Sequence, residues 1–484
     1  MRGLGRSLGR TTTGGFAGRL ASVLVPVQLS VLVWSAAAWA APPGPSGSAG
    51  PSGPTAGLPG DLPAYRTAAG ARAVQGTPGP ANAPRIGPGT YTDTLARGDE
   101  RFYAVRLDGE SSAYFSAVAA PRPGTEVADH TDSLKVVLQD ADGSTCAPGG
   151  STSFRGRGMA YPIADYATRR IDGPRANCRQ AGTYYLVVKR TGRVQTGGAA
   201  RWPVELRVQR EPGLTGSPPA QPGPRTWSTA TPVPLTGGTT KEARGGTGFN
   251  DAGAVGKGVW RDRIRPGETR FYRVPLDWGQ QLNVSAELPQ AALSGSGTGV
   301  AGRGVAGSRL VASALGLGVY NPARGPVSDT RFVPYDGKPA AAKFLTAPVD
   351  YGNRYNATAP VNAMRFAGSY YLAVSLHPDA AKYFEHGAQF TLRVDPLGRP
   401  QRAPGYRENA AEFSVTPQER VAADAGMTPQ QATHNGTLRL VGYGGISTGT
   451  VLLLALGVWT VVARRGGGRG AGRGGPDGPA RPVS

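Results

Sequence analysis

Two stretches of this chain recur at constant offsets, and nothing else in it limits the fold so strongly. Gly89, Tyr91, Asp93, Leu95, Gly98, Arg101, Phe102, Tyr103, Val105, Leu107 and Asp108 return as Gly258, Trp260, Asp262, Ile264, Gly267, Arg270, Phe271, Tyr272, Val274, Leu276 and Asp277, each pair 169 residues apart. Ala181, Gly182, Tyr184, Tyr185, Leu186, Val188, Leu206, Arg207 and Val208 return as Ala367, Gly368, Tyr370, Tyr371, Leu372, Val374, Leu392, Arg393 and Val394, each pair 186 apart. Two blocks in the same order, with a net insertion of 17 residues in the second copy, are the mark of a duplicated folded unit. Two tandem copies of one domain are expected.

The ends read as addresses. Residues 1–40 carry Arg2, Arg6, Arg10 and Arg19, an apolar run over 20–38 and a small-x-small site at Ala38-Trp39-Ala40, the pattern of an export signal peptide. Residues 442–463 hold no charged side chain, and a helix of that length spans roughly 30 Å, the thickness of a hydrocarbon core. Arg464, Arg465, Arg469, Arg473 and Arg481 follow against a single Asp477, and such basic excess stays on the cytoplasmic side. A single-pass type I cell-membrane protein is expected, with its N-terminal ectodomain outside and its tail inside.

Net charge is +21, which invites a nucleic-acid reading until it is apportioned. The signal holds four arginines and no acid, and the tail five arginines against one aspartate, leaving +13 over residues 41–463. No Lys/Arg run of nucleic-acid type occurs, so no nucleic-acid partner is expected; anionic wall polymers or lipid headgroups would still be drawn to such a surface. Both cysteines, Cys146 and Cys178, fall in the first copy, and an exported chain favours a disulfide between them. Neither has a counterpart in the second copy.

Between the ends, composition divides the chain. A Pro/Gly-rich disordered spacer is expected over 41–76, module 1 over 77–211, a linker over 212–224 and module 2 over 225–396. A juxtamembrane stalk over 397–439, with a short helix near 417–425, a transmembrane helix over 440–463 and a basic cytoplasmic tail over 464–484 complete the plan. Inside the modules the period is two: Tyr103, Val105 and Leu107 share one face, as do Tyr272, Val274 and Leu276. Short β-branched or aromatic runs bounded by Gly, Pro and Asp, with no amphipathic helical stretch of twelve residues, predict an all-β fold of two antiparallel β-sandwiches.

Arg97-Gly-Asp-Glu-Arg-Phe-Tyr-Ala-Val-Arg-Leu, Leu134-Lys-Val-Val-Leu-Gln-Asp-Ala-Asp-Gly, Ala181-Gly-Thr-Tyr-Tyr-Leu-Val-Val and Trp202-Pro-Val-Glu-Leu-Arg-Val, in that order, resemble the bacterial pre-peptidase C-terminal domain. Arg265-Pro-Gly-Glu-Thr-Arg-Phe-Tyr-Arg-Val-Pro-Leu-Asp-Trp-Gly-Gln-Gln-Leu in the second copy is the closer match to the opening strand pair. The resemblance covers most of both modules and implies two jelly-roll-like sandwiches of a kind that accompanies secreted hydrolases without catalysing. Two features depart from the pattern: no protease domain stands beside the modules, and a Gly-rich insertion occupies 295–307.

Catalytic chemistry finds little purchase. His130, His377, His386 and His434 show no metal-ligand spacing and read as exposed loop residues. Gly445-Ile-Ser447-Thr-Gly449 opens the apolar run rather than following a buried strand, and Gly297-Thr-Gly299-Val-Ala-Gly302 lacks a βαβ context. No catalytic, cofactor or metal residues are assigned, and no cofactor is expected. Asp140-Ala-Asp142-Gly143 reads as an Asp-Gly hairpin turn, with calcium ligation the alternative. Of the doublets Phe102-Tyr103, Tyr184-Tyr185, Phe271-Tyr272 and Tyr370-Tyr371, one ring each belongs to a core, and the outward partner is a candidate for stacking on sugars. The expectation is a non-catalytic, membrane-anchored extracellular binding or scaffold protein that presents two modules to an exported protein or cell-wall glycan. The alternatives are an accessory subunit of a membrane-associated hydrolase, or a hydrolase using loop carboxylates such as Asp329, Asp336 and Asp350.

Overall fold

Alternation along each strand decides which side chains meet in this protein. A computed structural model describes residues 62–146, 150–172, 178–192, 200–217, 223, 226–230, 235, 239–294, 309–433 and 453–462. The first half holds β1 (Arg72–Ala73), β2 (Arg85–Ile86), β3 (Gly89–Leu95), β4 (Glu100–Leu107), β5 (Ser112–Ala119), β6 (Ser133–Gln139), β7 (Thr152–Ser153), β8 (Ile163–Arg169), β9 (Gly182–Thr191) and β10 (Trp202–Glu211). They form two sheets, β1-β3-β10-β5-β8 and β2-β4-β9-β6-β7. Leaving aside β1 and β2, that is the strand order of an eight-stranded jelly roll.

The second half repeats it. Here β11 (Lys241–Glu242), β12 (Gly253–Ala254), β13 (Gly258–Ile264), β14 (Thr269–Leu276), β15 (Gln281–Leu288), β16 (Val311–Tyr320), β17 (Arg331–Tyr335), β18 (Ala340–Leu345), β19 (Gly368–Leu376) and β20 (Ala388–Leu397) build sheets β11-β13-β20-β15-β18 and β12-β14-β19-β16-β17. Main-strand pairings are antiparallel, while the two-residue strands β1, β2, β11 and β12 join in parallel at the edges. Each sandwich keeps its own core. Tyr103, Val105, Tyr184, Leu186, Trp202 and Leu206 close the first, and Tyr272, Val274, Tyr370, Leu372, Trp260 and Leu392 the second. Each such large apolar side chain contributes roughly 1.5 to 3 kcal/mol by leaving water.

Much of the repeated signature does structural work. Asp93 accepts hydrogen bonds from the Tyr103 hydroxyl at 2.7 Å and from Gly76 N–H at 2.8 Å; Asp262 does the same with Tyr272 at 2.6 Å and Gly245 at 2.7 Å. A side chain at Gly76 would place its Cβ 2.7 Å from the Tyr103 ring, and one at Gly245 2.8 Å from Tyr272. The pattern therefore pins the segment before β2 or β12 against the edge of its own sheet.

Three expectations need correcting. The segment assigned to the spacer is partly folded: β1 pairs with β3, and the Tyr65 ring packs 6.5 Å from Phe249 and 6.1 Å from Phe271. The described part of the linker is not free either, because Leu214 bridges Tyr406 and Thr215 N–H donates to Gly405 C=O at 2.8 Å. Residues 399–433, assigned to the stalk, run back over both sandwiches and include the helix α1 (Pro417–Asp424), opened by a Thr416/Glu419 capping box. Buried Phe413, Ala422 and Ala423 explain why this polar-looking stretch stays down. Residues 1–61, 295–308 and 434–452 lie outside the described residues, and with them the signal, the Gly-rich insertion, His434, the Gly445-to-Gly449 motif and most of the expected membrane span. Residues 453–462 are helical and exposed; among the described residues no helix is long and apolar enough to cross a membrane.

Candidate functional site

The two sandwiches meet through unlike faces. The outward side of β1-β3-β10-β5-β8, here the inner sheet of sandwich 1, packs on the outward side of β12-β14-β19-β16-β17, the inner sheet of sandwich 2. Val118 and Ala164 lie against Phe249, Phe271, Tyr320 and Ala373, while Tyr114 sits edge-on to Phe366 with ring centroids 4.7 Å apart. By the repeat, the inner sheet of sandwich 1 corresponds to the outer sheet of sandwich 2.

Ion pairs lock the junction. Glu205 on β10 meets Arg324 at 2.7 Å, and Asn250 bonds both partners, at 2.9 Å to Glu205 and 2.7 Å to Arg324. Arg324 reaches across from a turn in which its own φ is +60°, a left-handed conformation costly for a side chain this large. Glu211 takes two hydrogen bonds from Arg354, at 2.8 and 3.1 Å, one from Tyr114 at 2.5 Å and one from Tyr406 at 2.8 Å. Both carboxylates are sealed from solvent. Burial pushes the Tyr114 and Tyr406 hydroxyls far above the ordinary phenol range, with Glu211 pushing the same way. They remain donors at any physiological pH. Two sandwiches tied in this way do not behave as independent modules on a flexible string.

The outer sheet of sandwich 2 meets no second sandwich and exposes Arg261, Arg263, Gln389 and Lys343, while Ser228, Thr229 and Leu235 lie over part of it, the Ser228 and Leu235 carbonyls accepting hydrogen bonds from Gln281 and Arg393. Its outward positions run Val259, Arg261 and Arg263 on β13, Gln389, Thr391, Arg393, Asp395 and Leu397 on β20, Gln281, Asn283, Ser285 and Glu287 on β15, and Ala341, Lys343 and Leu345 on β18. A trough of about 440 Å³ lies beside Arg261, Glu287, Gln389 and Thr391, and a second of about 310 Å³ beside Asn283, Arg331, Lys343 and Arg393, walled on one side by Thr229 and Leu235. Glu287 borders both and receives Arg393 at 3.0 Å through each carboxylate oxygen; Asp395 is held by Lys257 at 2.9 Å. Sequence reasoning missed this face. The signal that could have found it is the mismatch between copies: Tyr114, Val118, Tyr166 and Glu205 of the sealed sheet stand where the open one has Asn283, Glu287, Lys343 and Thr391.

The residues singled out from sequence lie elsewhere. Cys146 and Cys178 form a disulfide with Cα atoms 5.4 Å apart. Asp140 accepts from the N–H groups of Asp142 and Ser144 at 3.1 and 2.8 Å, and Gly143 takes φ +81°, so this is a hairpin turn. No cluster of His, Cys, Asp and Glu able to hold a metal occurs among the described residues. His130 and His386 are exposed, but His377 is not: it is buried, and its Nδ1 accepts from Asp379 N–H at 3.1 Å to cap a short 3-10 turn. Asp329 pairs with Arg155 of sandwich 1 at 2.8 Å, Asp336 accepts from Lys338 N–H and Asp350 from Gly352 N–H. Each of these carboxylates thus serves a local turn or the junction. Among the doublets, Tyr103, Tyr184, Tyr272 and Tyr370 fill cores, whereas outward Phe271 is buried at the junction and Tyr371 packs beside it. Phe102 and Tyr185 of sandwich 1 stay half-exposed and, unlike half-buried Tyr371, face away from the junction.

No protein-family model matches the chain, and no curated protein is similar to it. Among solved structures it is similar to the pre-peptidase C-terminal domain of collagenase from Bacillus anthracis, at 18% identity over 27% of this chain and 97% of that one, with a TM-score of 0.16. It is also similar to the tandem CBM51 modules of a family 98 glycoside hydrolase from Streptococcus pneumoniae, at 8% identity over 64% of this chain and 83% of that one, with a TM-score of 0.17. A tandem CBM22 domain from Paenibacillus barcinonensis gives 10% identity over 64% and 92%, with a TM-score of 0.15. Likeness at this level bears on the fold alone.

Proposed function

We propose that this chain is a non-catalytic extracellular scaffold, anchored in the cell membrane by one C-terminal span, that presents its sandwiches to an exported protein or cell-wall polymer. The carrying observation is the unequal fate of equivalent sheets: the one in sandwich 1 is spent on the junction, while its counterpart in sandwich 2 is open, polar and grooved. Sandwich 1 acts as a rigid base and the outer sheet of sandwich 2 as the binding face. Because the junction removes relative motion, binding there loses little entropy in ordering the protein.

A photo-crosslinking side chain at Thr391, in the middle of the open face, tests this in intact membranes. Capture of wall material or one exported partner from Thr391, and none from Arg106 on the outer sheet of sandwich 1, is the expected result. Equal capture from both positions, or none from Thr391, contradicts it.

A further inference from the structure

The open face carries basic side chains at three positions where its sealed counterpart is uncharged. Arg261, Arg263 and Lys343 occupy the positions held in sandwich 1 by Thr92, Thr94 and Tyr166. The two carboxylates on the face are already matched, Glu287 by Arg393 and Asp395 by Lys257. Arg261, Arg263, Arg331 and Lys343 make no ion pair among the described residues; the Arg263 guanidinium donates to the His386 carbonyl, and that of Arg331 donates to the Lys343 carbonyl and lies 4.8 Å from the centre of the Phe344 ring. The four strands display no aromatic side chain at the outward positions, so the face offers no platform for a sugar ring. What it offers is fixed positive charge beside the amide, hydroxyl and carboxamide groups of Asn283, Ser285, Gln389 and Thr391.

We infer that the outer sheet of sandwich 2 binds a polyanionic glycan, an extended polymer with repeated phosphate or carboxylate groups; this rests on the reading of that sheet as the binding face. Spacing excludes a single small anion as the natural ligand. Arg261 on β13 and Lys343 on β18 are three strands apart, about 14 Å at the usual inter-strand distance, so only a chain of several charged repeats engages both. A polymer laid across the strands meets Arg261 and Thr391 in one trough, then Ser285, Lys343 and Arg331 in the next. The Glu287–Arg393 pair stands between the troughs and holds Arg393 in place.

The test uses the purified full chain with three polymers: a poly(glycerol phosphate), a polygalacturonate and neutral dextran. Binding to at least one anionic polymer is expected, weakening steadily from about 0.05 M to about 0.5 M salt as screening rises, with no binding to dextran. The preferred anionic polymer identifies phosphate or carboxylate as the repeating group. Inorganic phosphate at equal charge concentration should fail to compete. The double variant Arg261→Glu/Lys343→Glu, with an unchanged melting temperature, should bind about tenfold or more weakly. Undiminished binding by that variant, binding to dextran as tight as to either polyanion, or no binding to either polyanion overturns the inference. Thr391→Trp fills the face without altering its charge and separates the two failures. If dextran binds and Thr391→Trp abolishes it, the face is a binding site but not for polyanions. If Thr391→Trp leaves every observed binding unchanged, the face is not the site at all and both readings fall.

Discussion

The inner sheet of sandwich 1 and the outer sheet of sandwich 2 share one strand pattern and one register, yet the first is sealed and the second faces water. The difference that decides this lies in the outward half of the alternation. Inward positions stay mostly apolar in both copies even where size changes, as from Trp202 and Val204 to Ala388 and Phe390, because both must fill a jelly-roll core, whereas the outward set switches from Tyr114, Val118 and Tyr166 to Asn283, Glu287 and Lys343. Head-to-tail packing of unlike faces makes this possible: it uses up one sheet of each sandwich and leaves one sheet of the other kind exposed at each end. The two sandwiches share one scaffold, and their outward residues decide which sheet is covered.

Several substitutions sharpen or break this contrast. The largest effect is expected at the junction. Arg354→Met strands Glu211 in a dry interface and should cost about 3 to 5 kcal/mol in urea unfolding. Much of that loss should return in Arg354→Met/Glu211→Gln, since the buried charge is then gone. Recovery failing in the double variant would mean that packing, not charge, holds the junction. Next comes a matched pair. Phe271→Ala removes a ring buried between the sandwiches and should cost about 3 to 5 kcal/mol, while Phe102→Ala, at the equivalent half-exposed position, should cost about 1 kcal/mol. Equal costs would break the comparison.

Sandwich 1 also carries two features that sandwich 2 lacks. Cys146→Ser/Cys178→Ser opens a loop of about 33 residues and should destabilise sandwich 1 by about 3 to 4 kcal/mol, read from the loss of protection in β6 and β9. The other feature is Asp165, buried beneath β6 where the register of sandwich 2 places Ala342. Burial pushes its carboxyl up to about 6, against the pull of hydrogen bonds from the Val136 and Tyr166 N–H groups. A carboxyl whose folded pKa lies above its unfolded value of 3.8 favours the fold below 3.8, and that advantage drains away as pH rises towards 6. Relative to Asp165→Asn, the native chain should therefore lose about 1 to 3 kcal/mol between pH 4 and about 7, and a flat difference across that window would contradict it. The smallest effect belongs to the open face. Thr391→Trp should change stability by no more than about 0.5 kcal/mol, in contrast to the same change at its sealed equivalent, Glu205.

Period-two alternation and the repeated offsets made the two sandwiches and the inward-facing rings readable, because core positions obey local rules that one sequence displays in full. The disulfide was readable too, since both cysteines fall in one module. The junction was not. Glu205 and Glu211 sit in a strand as ordinary outward acids, and only the distant Arg324 and Arg354 turn them into buried partners. Residues 399–433 misled through composition, since Phe413 and the two alanines of α1 are too few to announce a buried segment. The open face was hidden differently, as its polar residues look like any solvated sheet until the equivalent sheet is seen to be covered.

Oxidative footprinting of the intact chain in solution puts the central contrast to its most direct test, because equivalent rings stand on opposite sides of it. Hydroxyl-radical labelling should modify Phe102 and Tyr185 readily while leaving Phe271, Tyr320 and Tyr114 protected. Labelling of Phe271 and Tyr114 as fast as Phe102 would show that the sandwiches do not close on each other, and the division of labour drawn from their junction would be wrong.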